Sequence, residues 1–120
     1  MISDKGLVRA GVYLADIPVH DGWVIYGKRP VVILQGVENP SHTVVCIPLT
    51  SRVKNPSPTR IRLSALECGL RMDSTALTEQ VICLDKAQIG RFLTKLPDAA
   101  MKSIEKGVFS SLGFGFDMAA

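Results

Sequence analysis

Two polar segments beside apolar runs carry the residue types that bind a phosphate group. One segment precedes the run Pro30–Gln35, and the other ends the run Thr43–Ser51. Together they contain three cations and two hydroxyl side chains: Lys28, Arg29, Thr50, Ser51 and Arg52. An arginine guanidinium presents several N–H donors in a rigid fork that matches the paired oxygens of a phosphate. These residues predict a phosphate-binding site.

RNA is a phosphate substrate that such a small group of side chains can cleave. Its ribose 2′-hydroxyl is an internal nucleophile, so a protein needs only to position the phosphate and stabilise the developing charge. Arg29 suits charge stabilisation because a guanidinium is very hard to deprotonate, and Thr50 would donate a hydrogen bond to the same phosphate. No general base stands out. His20 is a candidate because histidine side chains in general exchange protons near neutral pH, although a single loop histidine more often has no catalytic role.

Two strands must position these residues. Pro30–Gln35 is a β-branched run typical of a strand buried on both faces, and Thr43–Ser51 predicts the next strand. The turn Gly36–Ser41 would join them as a hairpin. Counted outward from that turn, Arg29 and Thr50 lie roughly opposite each other at the same rim of the sheet.

The rest of the chain predicts more strands and one long helix. Pro48 predicts a bulge or an edge position in its strand, because proline cannot donate to a ladder. Gly107 lies inside the helix and costs about 1 kcal/mol relative to alanine. An apolar stripe on the helix predicts a core or interface face: Met101, Ile104, Val108 and Leu112. The further strands, a helical turn and the helix are Val12–Ile17, Thr59–Leu63, Thr75–Leu84, Arg91–Leu96, Asp85–Gly90 and Pro97–Leu112.

This order of elements predicts a mainly β fold, a small and strongly curved sheet or barrel with a C-terminal helix. The 120 residues favour one domain spanning 1–120, and 47% apolar residues exclude a disordered chain. The segment from Lys28 to Arg71 holds seven basic and two acidic residues, a balance of +5, whereas the rest of the chain carries −2. That segment suits a polyanionic ligand or a solvated face, and charge alone does not decide between them.

The cysteines and histidines predict no metal site and no cofactor. The three cysteines include no Cys-x-x-Cys pair, and His20 and His42 complete no zinc pattern. Cys46 and Cys83 stand in apolar stretches and are predicted to be small core residues, which disfavours a Cys–His nucleophile pair. The cysteine pattern favours a reduced compartment. With no signal peptide and no apolar run of membrane-spanning length, the sequence predicts a cytoplasmic protein with no membrane partner.

Several segments occur in the order seen in the MazF/PemK toxins, the endoribonucleases, or mRNA interferases, of toxin–antitoxin pairs. They are Arg9–Ile17, Gly27–Gln35, Val45–Ser51, Asp73–Asp85 and a terminal helix that ends in Ser-Leu-Gly. The chain resembles this family over nearly its whole length, and the segments GKRPVV and PLTS are the most specific. The resemblance implies an SH3-like β-barrel of five to seven strands, a homodimer and cleavage of single-stranded RNA. It also implies a cognate antitoxin whose acidic, flexible C-terminal segment lies across the RNA site.

Carried over residue by residue, the resemblance assigns the catalytic roles to Arg29 and Thr50. The family's acidic residue before a glutamine corresponds to Glu79 and Gln80, in a region that often helps to bind or orient RNA. Glu79 equally fits a carboxylate at the rim of the site. No metal ligand is implied, and the RNA-binding candidates are Lys28, Ser51, Arg52, Glu79, Gln80 and His20.

The chain departs from the family pattern at three places. Ala10 and Gly11 follow Arg9 where the family usually has glycine and then an acidic residue. Val24 stands where many members have a glutamate, and Ile82 replaces a frequent arginine. Loss of these two polar groups would change the RNA preference, slow the chemistry or abolish it.

Two other functions remain open from the sequence. The apolar segment Trp23–Tyr26 fits a non-enzymatic toxin on the same scaffold that binds a protein target such as gyrase, as the CcdB proteins do. The missing polar groups also fit a catalytically weakened binding module held by an antitoxin.

Overall fold

The computed structural model describes residues 7–19, 22–36, 41–52 and 55–114. Two 3-10 turns, Thr78–Gln80 and Lys86–Gln88, flank the sixth strand. The predicted mainly β fold with a C-terminal helix is confirmed. Within the described ranges, the strands and α-helices are β1 Gly11–Ile17, β2 Gly27–Ile33, β3 Thr43–Thr50, β4 Arg60–Leu63, α1 Ala65–Cys68, β5 Ser74–Leu77, β6 Ile82–Asp85, β7 Ile89–Lys95 and α2 Asp98–Leu112.

One antiparallel sheet contains these seven strands in the order β4-β5-β3-β2-β1-β7, and β6 also pairs with β3. One edge of β3 pairs with β2, and its other edge pairs first with β6 and then with β5. Register shifts interrupt the ladder between β1 and β7, and such irregularities bend a strand. No ladder in the described part of the chain joins the outer strands β4 and β7, so the sheet is barrel-like but open.

The predicted pairing of the second and third strands is confirmed. Val31 of β2 lies opposite Pro48 of β3, and the antiparallel register runs on to the pair of Ile33 and Cys46. Arg29 and Thr50 each lie two residues beyond the pair of Val31 and Pro48. The two residues therefore stand at the same level of the sheet. Most of the predicted turn between these strands, residues 37–40, lies outside the described residues.

Pro48 lies in an interior strand, so of the two predicted alternatives, a bulge or an edge position, the edge position is wrong. The C=O of Val45 accepts a hydrogen bond from the amide of Leu34 at 3.0 Å, which directs the backbone of Val45 toward β2. Because these directions alternate along a strand, position 48 faces the opposite edge. There the β6 ladder ends at Cys46 and the β5 ladder begins at Leu49. The missing N–H of Pro48 falls in this gap and removes no ladder hydrogen bond.

The predicted single strand Thr75–Leu84 is also wrong, because the structure divides it into β5 and β6. Ala76 of β5 pairs with Leu49, whereas Ile82 of β6 pairs with Cys46. Six residues on this segment thus correspond to three residues on β3. The 3-10 turn Thr78–Gln80 takes up the three extra residues and changes the register. The break also moves Glu79 and Gln80 out of any strand.

Alternation along β1, β2 and β3 divides the interior into two apolar clusters. On α2, the predicted stripe is buried except for Leu112, which is 59% exposed. No helix in the described ranges is both long and apolar enough to cross a membrane. The helix-side core, between the sheet and α2, includes Val12, Val32, Ile47, Leu49, Met101, Ile104 and Val108. The second core, on the other face of the sheet, includes Tyr13, Ala15, Ile17, Val31, Ile33, Cys46, Leu84 and Ile89.

Gly107 allows α2 to approach the turn Thr78–Gln80 closely. A Cβ atom at position 107 would lie 2.6 Å from Oγ1 of Thr78. Thr78 is held in place because its hydroxyl and its amide both donate to the C=O of Thr59, at 2.7 and 3.0 Å. The glycine that is unfavourable for helix propensity is therefore required by this helix–turn contact.

The cysteines are free, and their burial partly differs from the prediction. Cys46 and Cys68 are buried, but Cys83 is exposed, so the prediction that Cys83 is a core residue is wrong. Leu84 takes the inward position on β6, and alternation turns Cys83 outward. Burial, and to a lesser extent the neighbouring Cys83, raises the pKa of the Cys46 thiol to about 12. This thiol therefore stays protonated near neutral pH and is a poor nucleophile.

Candidate active site

Arg29 lies in β2 with one side of its guanidinium fixed. Its Cα pairs with that of Ala15 in β1. Its Nε donates to the C=O of Tyr26 at 2.8 Å, and its terminal amino groups have no partner among the described residues. Gly27 permits this geometry, because its φ of 95° turns the chain at the start of β2. A half-buried guanidinium whose outer donors are not used by any described residue suits a phosphate ligand.

Thr50 ends β3 and is buried. Its Oγ1 accepts a hydrogen bond from the amide of Arg52 at 3.2 Å. Because that contact uses a lone pair of the oxygen, the hydroxyl hydrogen remains available for donation. Ser51 and Arg52 follow and are exposed. The end of β3 therefore places a hydroxyl group beside an exposed cation.

The ladders extend this pair into a row across four strands. Thr50 pairs with Thr75 of β5, which in turn pairs with Arg62 of β4. Residues opposite each other in antiparallel strands have side chains on the same face. Ala15, the partner of Arg29, belongs to the second core, and alternation along β3 places Thr50 on that same face. We call these four residues the basic row: Arg29, Thr50, Thr75 and Arg62.

Sequence reasoning did not include Thr75 and Arg62 among the site residues. Arg62 is exposed and makes no hydrogen bond or ion pair with a described residue. In the sequence of β4, arginines alternate with apolar residues, and this pattern could have indicated that Arg62 lies on a polar face of the sheet. Thr75 carried no such signal, because its place opposite Thr50 depends on where β5 ends.

Lys28 is separated from the basic row. It lies opposite Asp16 of β1, and as the neighbour of Arg29 it points to the other face of β2. Lys28 and Asp16 instead line an open groove of about 740 Å³ beside β1 and β7, together with Gln88 and Arg91. This groove contains charges of both signs and none of the basic row.

The turn Thr78–Gln80 carries two further predicted site residues, Glu79 and Gln80, and Gln80 connects the turn to the segment that holds Arg29. Oε1 of Gln80 accepts a hydrogen bond from the amide of Ile25 at 2.8 Å. The next residue, Tyr26, provides the carbonyl that holds Arg29. Glu79 is 3.9 Å from Arg60, measured between Oε2 and Nε. Gln80 thus anchors the segment before β2, while Glu79 faces a cation of β4.

The two histidines add no observed contact to this group. His20 lies outside the described residues. His42 is exposed just before β3. Among the described residues, no group of three or more His, Cys, Asp and Glu side chains is placed to hold a metal ion.

Comparison with known proteins identifies the family. Residues 8–112 match the family described as PemK-like, MazF-like toxin of type II toxin–antitoxin system. This chain belongs to the MazF/PemK toxin family. The protein named Endoribonuclease MazF from Staphylococcus saprophyticus is 36% identical over 108 residues, which cover 88% of this chain and 90% of that protein.

Solved structures share the fold of this MazF/PemK toxin. MazF from Deinococcus radiodurans superposes with a TM-score of 0.77 at 19% identity, covering 89% of this chain and 96% of that one. An endoribonuclease in complex with its cognate antitoxin, from a Mycobacterial species, gives a TM-score of 0.72 at 21% identity, covering 91% and 97%. At these identities the likeness establishes a common fold.

The three departures from the MazF/PemK pattern have distinct structural settings. Ala10, which replaces a usual glycine, has a φ of 72°, in the left-handed region that favours glycine. Val24, in place of a frequent glutamate, is 40% exposed. Ile82, in place of a frequent arginine, packs against the second core. The backbone at position 10 therefore keeps a glycine conformation although the residue has changed.

Proposed function

We propose that this chain is an endoribonuclease toxin that cleaves single-stranded RNA, with Arg29 and Thr50 acting on the scissile phosphate. The main support is that these two residues stand at one level on one face of the sheet, and each has a hydrogen-bond donor that no described residue uses. The name of the relative that is 36% identical, an endoribonuclease, supports the same activity.

The reaction is an internal transfer at phosphorus. The ribose 2′-hydroxyl loses its proton to a base, and its oxygen forms a bond to the adjacent phosphorus. The bond from phosphorus to the 5′-oxygen of the next nucleotide breaks, and that oxygen gains a proton. The products carry a 2′,3′-cyclic phosphate and a 5′-hydroxyl.

Arg29 and Thr50 would act by stabilising charge. Two guanidinium amino groups of Arg29 face the phosphate oxygens as negative charge develops, and the Thr50 hydroxyl donates to the same group. Because the nucleophile is part of the substrate and the cation is a side chain, this reaction requires no metal ion. Gln80 would hold the segment that positions Arg29 rather than contact the reacting atoms.

The other exposed cations near the row would contact flanking phosphates. Arg52 and Arg62 are both exposed and stand at the end of β3 and on β4. Ser51 lies between Thr50 and Arg52 and would donate to the same backbone. The partner proposed with RNA is a cognate antitoxin whose acidic segment covers these cations. The protein would act as a homodimer in the cytoplasm, where mRNA is found.

Cleavage of a mixed RNA by purified protein tests the function. Arg29→Gln is expected to lower the rate at least 100-fold, because it removes the charge at the phosphate. Arg71→Gln is the matched control, since Arg71 is exposed on the connector after α1 and should leave the rate unchanged. Equal cleavage by Arg29→Gln and the unsubstituted protein would refute the assignment. Growth arrest that persists in Arg29→Gln without RNA cleavage would support the protein-binding toxin instead.

A further inference from the structure

Trp23 is the most exposed large apolar side chain of the described chain. It is 98% exposed, and it is the only tryptophan of the protein. An indole ring offers a large rigid surface whose burial in a complex is strongly favourable. Fully exposed tryptophans near a proposed substrate site are therefore candidates for substrate contact.

The segment that carries Trp23 is tied to the site from two sides. The amide of Ile25 donates to Oε1 of Gln80 at 2.8 Å, and the C=O of Tyr26 accepts from Nε of Arg29 at 2.8 Å. The side chain of Ile25 packs against the second core, which lies on the same face of the sheet as the basic row. The segment therefore lies on the proposed RNA face, with Ile25 directed inward and Trp23 left in solvent.

We propose that Trp23 is the stacking platform for an unpaired nucleobase next to the scissile phosphate. This inference rests on the proposed nuclease function and adds a base subsite to it. Single-stranded RNA has bases that are free to leave the stack, and aromatic rings are the surfaces on which such bases bind. Arg29, six residues away and coupled to the same segment, would hold the phosphate of that strand.

The charge around Trp23 favours RNA over an apolar protein surface as its occupant. Arg29 and Arg62 lie on the same face of the sheet, the exposed Arg52 follows two residues after Thr50 of that face, and Glu79 is the only acidic residue among the described site residues. A polyanion with flat apolar bases matches both the cations and the ring. A protein partner for Trp23 is the competing outcome in the experiment below.

The single tryptophan makes the test direct. The probe is an RNA oligonucleotide of the mapped cut sequence, with a 2′-deoxynucleotide at the cut so that it binds without reacting. Stacking is expected to quench the fluorescence of Trp23 on titration. In anisotropy measurements with a labelled probe, Trp23→Ala is expected to weaken binding by roughly 5- to 150-fold, and Trp23→Phe to stay within about 5-fold. Leu66→Ala is the control, since Leu66 is also exposed, at 92%, and lies on α1.

The outcomes separate this inference from the proposed function. If the protein cleaves RNA but its fluorescence is unmoved and Trp23→Ala binds as tightly as the unsubstituted chain, the base subsite is wrong and the nuclease assignment stands. If the fluorescence changes only with the antitoxin and not with RNA, the subsite is also wrong. If the protein neither binds nor cleaves RNA, both proposals fail. The subsite is established if RNA quenches the fluorescence of Trp23 and if, of the three variants, only Trp23→Ala binds the RNA probe more weakly.

Discussion

Two side chains carry the proposed chemistry, and each is held by a hydrogen bond while another of its donors has no partner among the described residues. Arg29 is fixed through Nε by the C=O of Tyr26, and Thr50 is fixed by the amide of Arg52. Preorganised donors of this kind lower a barrier because they need not reorient as charge develops. The proposed roles therefore depend on particular atoms, which conservative substitutions can remove one at a time.

Thr50→Val removes the hydroxyl while it preserves the branched shape of the side chain. We expect kcat to fall by about 100- to 1000-fold, the range found for loss of one donor to a developing charge. Thr50→Ser keeps the donor and should retain most of the rate. Single-turnover cleavage kinetics measure both variants. A Thr50→Val protein with an unchanged kcat would show that the hydroxyl does not donate to the phosphate.

Ala10 stores backbone strain that a glycine would relieve. A left-handed conformation costs an L-residue about 1–2 kcal/mol. Ala10→Gly would relieve this strain, and the relief offsets two unfavourable effects of the substitution: the loss of a buried methyl group and the greater conformational freedom of the unfolded chain. Ala76→Gly, in the extended strand β5, has no such offset. We expect Ala76→Gly to lower the free energy of unfolding by about 1–2 kcal/mol more than Ala10→Gly does, as measured in urea. Equal losses would contradict strain at position 10.

At the scale of secondary-structure elements, α2 packs against the turn Thr78–Gln80, which lies between α2 and the proposed site. Gly107→Ala improves helix propensity by about 1 kcal/mol, but its Cβ would meet Oγ1 of Thr78 at 2.6 Å. Because overpacking costs about 1–3 kcal/mol, we expect a net loss of stability. Ser110→Ala, on the exposed side of α2, is the control and should be neutral or slightly stabilising.

The cause of that loss is testable in a double-mutant cycle. Thr78→Ala removes the hydroxyl that obstructs position 107, so Gly107→Ala should cost less in that background than in the unsubstituted protein. Thermal unfolding of the four proteins gives the coupling. Additive effects would place the strain elsewhere than at Thr78.

Gln80 positions the segment that holds Arg29. Gln80→Met keeps the length of the side chain but has no strong acceptor for the amide of Ile25. Hydrogen exchange at that amide is expected to accelerate by about 5-fold, corresponding to a hydrogen bond of about 1 kcal/mol, and kcat should fall by about 10-fold or more. Gln80→Glu retains an acceptor and should protect the amide. Unchanged exchange in Gln80→Met would exclude this role.

The hairpin could be predicted from sequence, but the surroundings of the site could not. Two apolar runs joined by the predicted turn Gly36–Ser41 indicate a hairpin, so counting outward from that turn placed Arg29 and Thr50 at the same rim. The division of β5 from β6 arises from tertiary pairing with β3 and from the contact between Thr78 and Gly107. Local propensity does not mark this break, because the residues from Thr75 to Leu84 form one strand-like run. The anchoring role of Gln80 and the position of Thr75 follow from that break.

At the scale of the molecule, the faces on which the cations lie matter more than the excess of +5 charges between Lys28 and Arg71. The basic row lies along one face of the sheet, whereas Lys28 lies on the other face of β2. A charge count alone could not have made this distinction. The proposed acidic antitoxin segment would bind a surface that overlaps the proposed RNA site.

This arrangement predicts a salt dependence of RNA binding. For single strands, the logarithm of the binding constant falls with the logarithm of salt concentration by about 0.7 for each phosphate neutralised. Arg62→Gln is therefore expected to reduce the slope by about 0.7. Arg91→Gln, which alters the groove beside β7, should leave the slope unchanged. Equal slopes for Arg62→Gln and the unsubstituted protein would place Arg62 outside the RNA path.

The nature of the cut ends tests the proposed reaction most directly. RNA is incubated with the protein in EDTA, beside an RNA of the same sequence with a single 2′-deoxynucleotide at the mapped cut. We expect the unmodified RNA to yield 2′,3′-cyclic phosphate and 5′-hydroxyl ends, and the modified RNA to remain intact at that position. Arg29→Gln should leave both RNAs intact. Cleavage of the 2′-deoxy RNA, or loss of all activity in EDTA that metal ions restore, would contradict internal transfer at Arg29 and Thr50.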